Sequence, residues 1–70
     1  MEGVVVSDAG VVGQAIREAR RESGLTQAQL GELVGLSDRT VREIEKGSGG
    51  SSFGAVSAAA NALGLRIAVS

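Results

Sequence analysis

Thr26, Gln27, Ser37, Asp38, Arg39, Thr40, Arg42, Glu43 and Lys46 bring hydroxyls, an amide and charges of both signs into one short stretch of the chain. Groups of these types donate and accept hydrogen bonds and attract or repel charged partners, but nothing among them forms a nucleophile and its base. Elsewhere the chain offers no His, no Cys and no Tyr, and its one serine- and glycine-rich run, Ser48 to Ser52, lacks the Gly-Lys-Ser/Thr of a phosphate loop. The usual zinc ligands and disulfides are therefore absent, and no cofactor is implied. The sequence speaks against an enzyme and for recognition.

The elements that must present these groups can be read from Gly24 to Gly47, GLTQAQLGELVGLSDRTVREIEKG. Thr26 has N-cap chemistry and Gln29 stands three residues later, a capping box that opens a helix over about 27–34. Leu30, Leu33 and Val34 give that helix a buried stripe. Gly35 is placed where the chain must turn sharply, and Leu36 plugs the corner. Ser37 caps a second helix over about 38–46, Asp38 sits in its positive first turn, Val41 and Ile44 point inward, and Gly47 ends it. Asp38, Arg39, Thr40, Arg42, Glu43 and Lys46 are left facing outward, a polar face of the kind a DNA-reading helix needs. Two capped helices around a glycine turn make nucleic acid the leading partner.

From Ala15 to Gly47, with Gly-Leu-Thr-Gln before the first motif helix and Val-x-x-Ile-Glu-x-Gly closing the second, the chain resembles the Cro/C1-type (Xre) helix-turn-helix family of phage and bacterial repressors. The resemblance implies a mainly α, four-helix Cro/C1-repressor-like domain. It also implies a salt bridge between Arg20 of the first helix and Glu45 near the end of the recognition helix, a scaffold pair. By the same resemblance Thr26, Gln27 and Ser37 hold phosphates, while Asp38, Arg39 and Glu43 face base edges.

Seventy residues make one small domain, whose limited core calls for a partner subunit when disulfides and metals are missing. The net charge of -1 works against a strong DNA binder, since phosphate neutralisation supplies most non-specific affinity. Arg17, Arg21, Arg39, Arg42 and Lys46 supply positive charge toward a duplex, with Glu2, Glu18, Glu22 and Glu32 placed elsewhere. Asp38 and Glu43 on the reading face repel phosphates unless they meet a cytosine amino group or orient an arginine, as Glu43 could orient Arg39 four residues away. Moderate affinity per subunit, and hence a homodimer on a palindromic operator of double-stranded DNA, is the expectation. Phe53 to Val69 is nearly uncharged, yet it is too short and too interrupted to span a membrane. With no Cys and no basic-then-apolar leader, a cytoplasmic protein is inferred.

Around the motif, a first helix is expected from about Ala9 to Ser23, capped by Asp8 or Ser7, with Val12, Ile16 and Ala19 inward and Gly24 as its stop. Gly10 and Gly13 weaken its start. A flexible Ser-Gly loop leads to a fourth helix from about Phe53 to Leu63, capped by Ser51 or Ser52, with Phe53, Val56, Ala60 and Leu63 on its core face and Gly64 as its stop. After Gly64 the period changes to two: Leu65, Ile67 and Val69 alternate with Arg66, Ala68 and Ser70, a strand with one buried face. Residues 1–8 then form an N-terminal extended segment, 9–64 the helix-turn-helix domain and 65–70 a dimerisation strand. The favoured partner for that strand is its copy in a second subunit, antiparallel across a two-fold axis. The alternative is an intrachain pair with Gly3 to Val6, and one small sheet has room for both.

A four-helix domain of this family closed by Ala-Leu-Gly-Leu and an alternating strand resembles the HipB-type antitoxins, dimeric DNA-binding proteins that pair with HipA-type kinase toxins. That branch implies a toxin-antitoxin operon in which the antitoxin represses its own promoter, and a HipA-like toxin kinase as a further partner. A module that mainly holds and neutralises the toxin, or a plain Xre-family regulator without one, are the alternatives.

Overall fold

The computed structural model describes the backbone of residues 4–5 and 67–68 and the whole of residues 9–66. Its elements follow in the order β1 (Val4–Val5), α1 (Ala9–Glu22), α2 (Gln27–Val34), α3 (Asp38–Lys46), α4 (Phe53–Ala62) and β2 (Ile67–Ala68). The caps are local devices, and they form as their spacing predicts. Thr26 accepts from the Gln29 amide at 3.0 Å while the Gln29 side chain accepts from the Thr26 amide at 2.9 Å, a complete capping box. Ser37 and Ser52 cap α3 and α4 by accepting from Thr40 and Ala55, each at 3.1 Å. Each helix closes on a glycine in the left-handed region: Gly24, Gly35, Gly47 and Gly64. At Gly35 the turn is secured by the Leu36 amide, which donates to the Gly31 carbonyl at 2.8 Å and brings Leu36 back over the core.

The core is small: Val12 and Ile16 from α1, Leu30 from α2, Val41 and Ile44 from α3, Ala59 and Ala60 from α4. Val34, Leu36, Ala55, Val56, Leu63 and Leu65 pack around it. In the middle lies α3, packed on both α1 and α2, while α4 closes against α2. Ile16, Leu30 and Val41 are fully enclosed, and burial of each contributes about 1.5–3 kcal/mol.

Two expected core residues are not core. Leu33 is 65% exposed and Phe53 58% exposed. Leu30 and Val34 suffice to face α2 inward, which turns Leu33 away. Phe53 is the first residue of α4, and the small residues Ala59 and Ala60 form that helix's buried contact instead.

Gly13 also departs from its reading as a weak point. A Cβ there would overlap the Ile44 carbonyl oxygen and stand 2.8 Å from that of Glu45, so glycine is what lets α1 lie directly on the backbone of α3. A second contact of the same kind joins the start of α1 to the end of α3, where a Cβ on Gly47 would stand 2.6 Å from the Gly10 Cα.

The C-terminal strand begins later than its alternation suggests. Leu65 lies outside it, because its amide closes α4 by donating to the Ala60 carbonyl at 2.9 Å, and its side chain packs against the core. Ile67 and Ala68 pair with Val4 and Val5 of the same chain in parallel register, Val4 opposite Ile67 and Val5 opposite Ala68. This is the intrachain alternative, now with a defined direction. Val69, Gly3, Val6 and the candidate caps Ser7 and Asp8 fall outside the described residues. No helix among the described residues is long and apolar enough to cross a membrane.

Candidate nucleic-acid interface

α3 buries Val41 and Ile44 and leaves Asp38, Arg39, Arg42 and Lys46 exposed, with Thr40 and Glu43 half-buried at the edges. The polar face expected from the sequence is therefore present, and its N-terminal end stands beside the turn from α2. Ser37 is exposed there, and its oxygen lies 3.0 Å from the Thr40 hydroxyl as well as accepting the Thr40 amide. Either hydroxyl can donate in that contact, and the other then keeps its proton for a further acceptor. Thr26, exposed at the start of α2, has the same capacity.

The charges on this face are not arranged as a repeating ladder. Arg42 Nη2 lies 3.8 Å from an Asp38 carboxylate oxygen, a solvent-exposed pair one helical turn apart. The pairing of Arg39 with Glu43 anticipated from their spacing does not form: among the described residues Arg39 has no ion pair. Asp38 meets Arg42 instead, and among the described residues the five donors of Arg39 are uncommitted.

Behind the face lies a buried network. Arg20, in the last turn of α1, donates Nε to Glu45 Oε2 at 2.6 Å and Nη2 to Glu45 Oε1 at 3.0 Å, and its Nη1 donates to the Leu25 carbonyl at 2.8 Å. This is the scaffold pair implied by the family resemblance, with side chains only 11% and 3% exposed. Sequence reasoning missed a third member. Gln27, the first residue of α2, donates Nε2 to Glu45 Oε1 at 3.1 Å. The carboxylate accepts only, so the orientation of the Gln27 amide is fixed by chemistry. Gln27 was read as a phosphate ligand, and one of its two amide protons is already committed to the scaffold. No signal in the sequence marks a contact between residues 27 and 45.

The loop after α3 is built from backbone and hydroxyl contacts. Ser48 donates Oγ to the Glu43 carbonyl at 3.3 Å and receives the Gly50 amide at 3.4 Å. Of the candidate dimerisation residues, Leu65 belongs to the core rim, Ile67 to β2, and Val69 is outside the described residues.

This arrangement has counterparts. Residues 16–69 match the helix-turn-helix family HTH_3. The immunity repressor protein of Bacillus phage phi105 is 39% identical over 56 residues, which cover 80% of this chain and 39% of the phage protein. An uncharacterised helix-turn-helix transcriptional regulator of Methanothermobacter thermautotrophicus is 53% identical over 32 residues, 46% of each chain. Among solved structures, the clp gene regulator ClgR from Corynebacterium glutamicum superposes with a TM-score of 0.72 and 28% identity over 83% of this chain and 62% of its own. The chain thus spans less than half the length of the two curated relatives and under two thirds of the solved one.

Proposed function

The chain belongs to the Cro/C1-type helix-turn-helix family of transcriptional regulators, and from that membership we propose that it is a sequence-specific DNA-binding repressor that acts as a homodimer. The observation that carries this reading is α3: capped by Ser37, anchored by Val41 and Ile44, and turning Asp38, Arg39, Arg42 and Lys46 to the outside. In the proposed complex Thr26, Gln27 and Ser37 hold phosphates that flank the major groove. Arg39 reads a base edge, the O6 and N7 of guanine, to which arginine is bidentate. Thr40 and Glu43 border that contact, and Arg42 and Lys46 neutralise phosphates. Two such helices, about 34 Å apart in successive major grooves, would read a palindrome. Repression then follows by occlusion of the promoter.

The dimer we propose uses β2. Among the described residues β2 pairs on one side only, with β1, and an unpaired strand edge is a ready site for another strand. An antiparallel copy of β2 from the second subunit would extend the sheet to the order β1-β2-β2-β1. Leu65, Ile67 and Val69 are the residues of this ending assigned to the interface, with Leu65 acting from the core rim.

Within the family we place the chain in the HipB-like antitoxin branch, on its Ala62-Leu63-Gly64-Leu65 ending followed by a strand. A cytoplasmic antitoxin that represses its own toxin-antitoxin operon, and that a HipA-like toxin kinase binds, is the finer reading.

The primary test is fluorescence anisotropy of the purified protein on the region upstream of its own gene, beside a scrambled duplex of the same length, at several salt concentrations. Tight binding to the first alone, with two chains per site, is the expected result. Equal, weak binding to both would overturn the repressor. Co-expression with the neighbouring open reading frame tests the antitoxin: a stable complex is expected, and its absence would return the chain to a plain regulator.

A further inference from the structure

We infer that Asp38 is a selectivity residue which weakens binding to the wrong DNA by holding Arg42 and by opposing phosphate. The inference rests on the DNA-binding reading and deepens it through the pairing of Asp38 with Arg42. Asp38 is the first residue of α3, the end that enters the groove, and its side chain is 57% exposed. A carboxylate in that place repels the duplex backbone wherever no donor meets it. Its partner is a cation of the same face: Arg42 Nη2 stands 3.8 Å away with its side chain 49% exposed. So loose and wet a pair adds little to stability, which leaves stability a poor reason for it.

Its electrostatic effect on binding is larger. Non-specific affinity scales with the phosphates neutralised, and a pair that cancels one of the few positive charges on the face removes about one such contact. On the correct sequence the same carboxylate can accept from a cytosine amino group, which releases Arg42 to the backbone. Asp38 and Arg42 therefore act together, opposing random DNA and yielding to the operator, whereas Arg39, with no ion pair among the described residues, is ready on either.

The test uses the full chain and two duplexes: one enriched from a randomised pool by repeated selection on the unaltered protein, and one random duplex of equal length. Asp38→Asn is expected to bind the random duplex about tenfold more tightly at 0.1 M salt, with a salt slope steeper by about one, and to gain less on the enriched duplex. In an Arg42→Ala background the gain should be smaller, because only the direct repulsion of phosphate by Asp38 is left to remove; an undiminished gain would overturn the role of Arg42. Circular dichroism of each variant confirms the fold. An Asp38→Asn protein whose random-DNA affinity and salt slope are unchanged, or which gains equally on both duplexes, would overturn the inference. Failure of the unaltered protein to enrich any sequence is a separate result, and would overturn the DNA-reading function itself.

Discussion

Gln27 donates to Glu45 across 3.1 Å, so the first residue of α2 is tied to the last turn of α3 through a carboxylate already held by Arg20 of α1. A residue assigned to phosphate is thus also part of the scaffold. Gln27→Ala should lower stability by about 1.5–3 kcal/mol, the range for a hydrogen bond to a charged group, and should weaken DNA binding on every sequence. Urea unfolding and anisotropy measure the two effects. Loss of binding with the urea midpoint unmoved would separate Gln27 from the scaffold.

Arg20 and Glu45 are nearly sealed from water. Removal of one member leaves the other charge buried and alone, which costs about 3–5 kcal/mol. In a domain with so small a core, Arg20→Met is expected to be largely unfolded at 37 °C by circular dichroism. Arg20→Met with Glu45→Leu, which removes both charges, should recover much of the loss. A single variant that melts with the unaltered protein would mean that water reaches the pair.

Gly13→Ala tests packing against propensity. Alanine favours a helix by about 0.8–1.0 kcal/mol over glycine. Its methyl, however, would overlap the Ile44 carbonyl, and overpacking of this kind costs about 1–3 kcal/mol. Net destabilisation and a lower melting temperature are expected. A stabilised variant would mean that α1 can move off α3 without loss.

Arg39→Ala should cost about 1–3 kcal/mol per half-site and relax the preference at one base position, whereas Lys46→Ala should weaken all duplexes alike and flatten the salt dependence by about one. Selection from a randomised pool reads the first effect and a salt titration the second. If Arg39→Ala acts equally on random and selected DNA, Arg39 binds phosphate.

For the dimer, Ile67→Asp is the informative substitution, because Ile67 lies in β2 while Leu65 also supports the core. Sedimentation should give monomers with the helical spectrum retained, and operator affinity should fall. A variant that still sediments as a dimer would exclude β2 from the interface.

What could be read from the sequence is what short-range chemistry decides. The Thr26–Gln29 box, the Ser37 cap and the Gly35 and Gly47 stops involve neighbours three to five residues apart, and all form. Helical period alone placed Leu33 and Phe53 on inward arcs. Which part of an arc is covered depends on the neighbouring helices, and both residues proved to be at its open edge. Gly13 looked like a flaw because its reason lies at residues 44 and 45, remote in sequence. Within the candidate site the identity of the polar face was legible, while its internal pairing was not: Arg42 could reach Asp38 as readily as Arg39 could reach Glu43, and spacing does not choose between them.

At Gly13, and again where Gly10 meets the Gly47 cap, α1 approaches the backbone of α3 and its cap with no side chain at the points of contact. Two helices pinned at such contacts have little room for one to loosen ahead of the other. Their amide protons should therefore exchange with solvent at matching rates, as a single cooperative unit. A duplex that grips α3 would then slow exchange in α1 as well, and the protection traced by deuterium uptake would extend beyond the residues that touch the DNA.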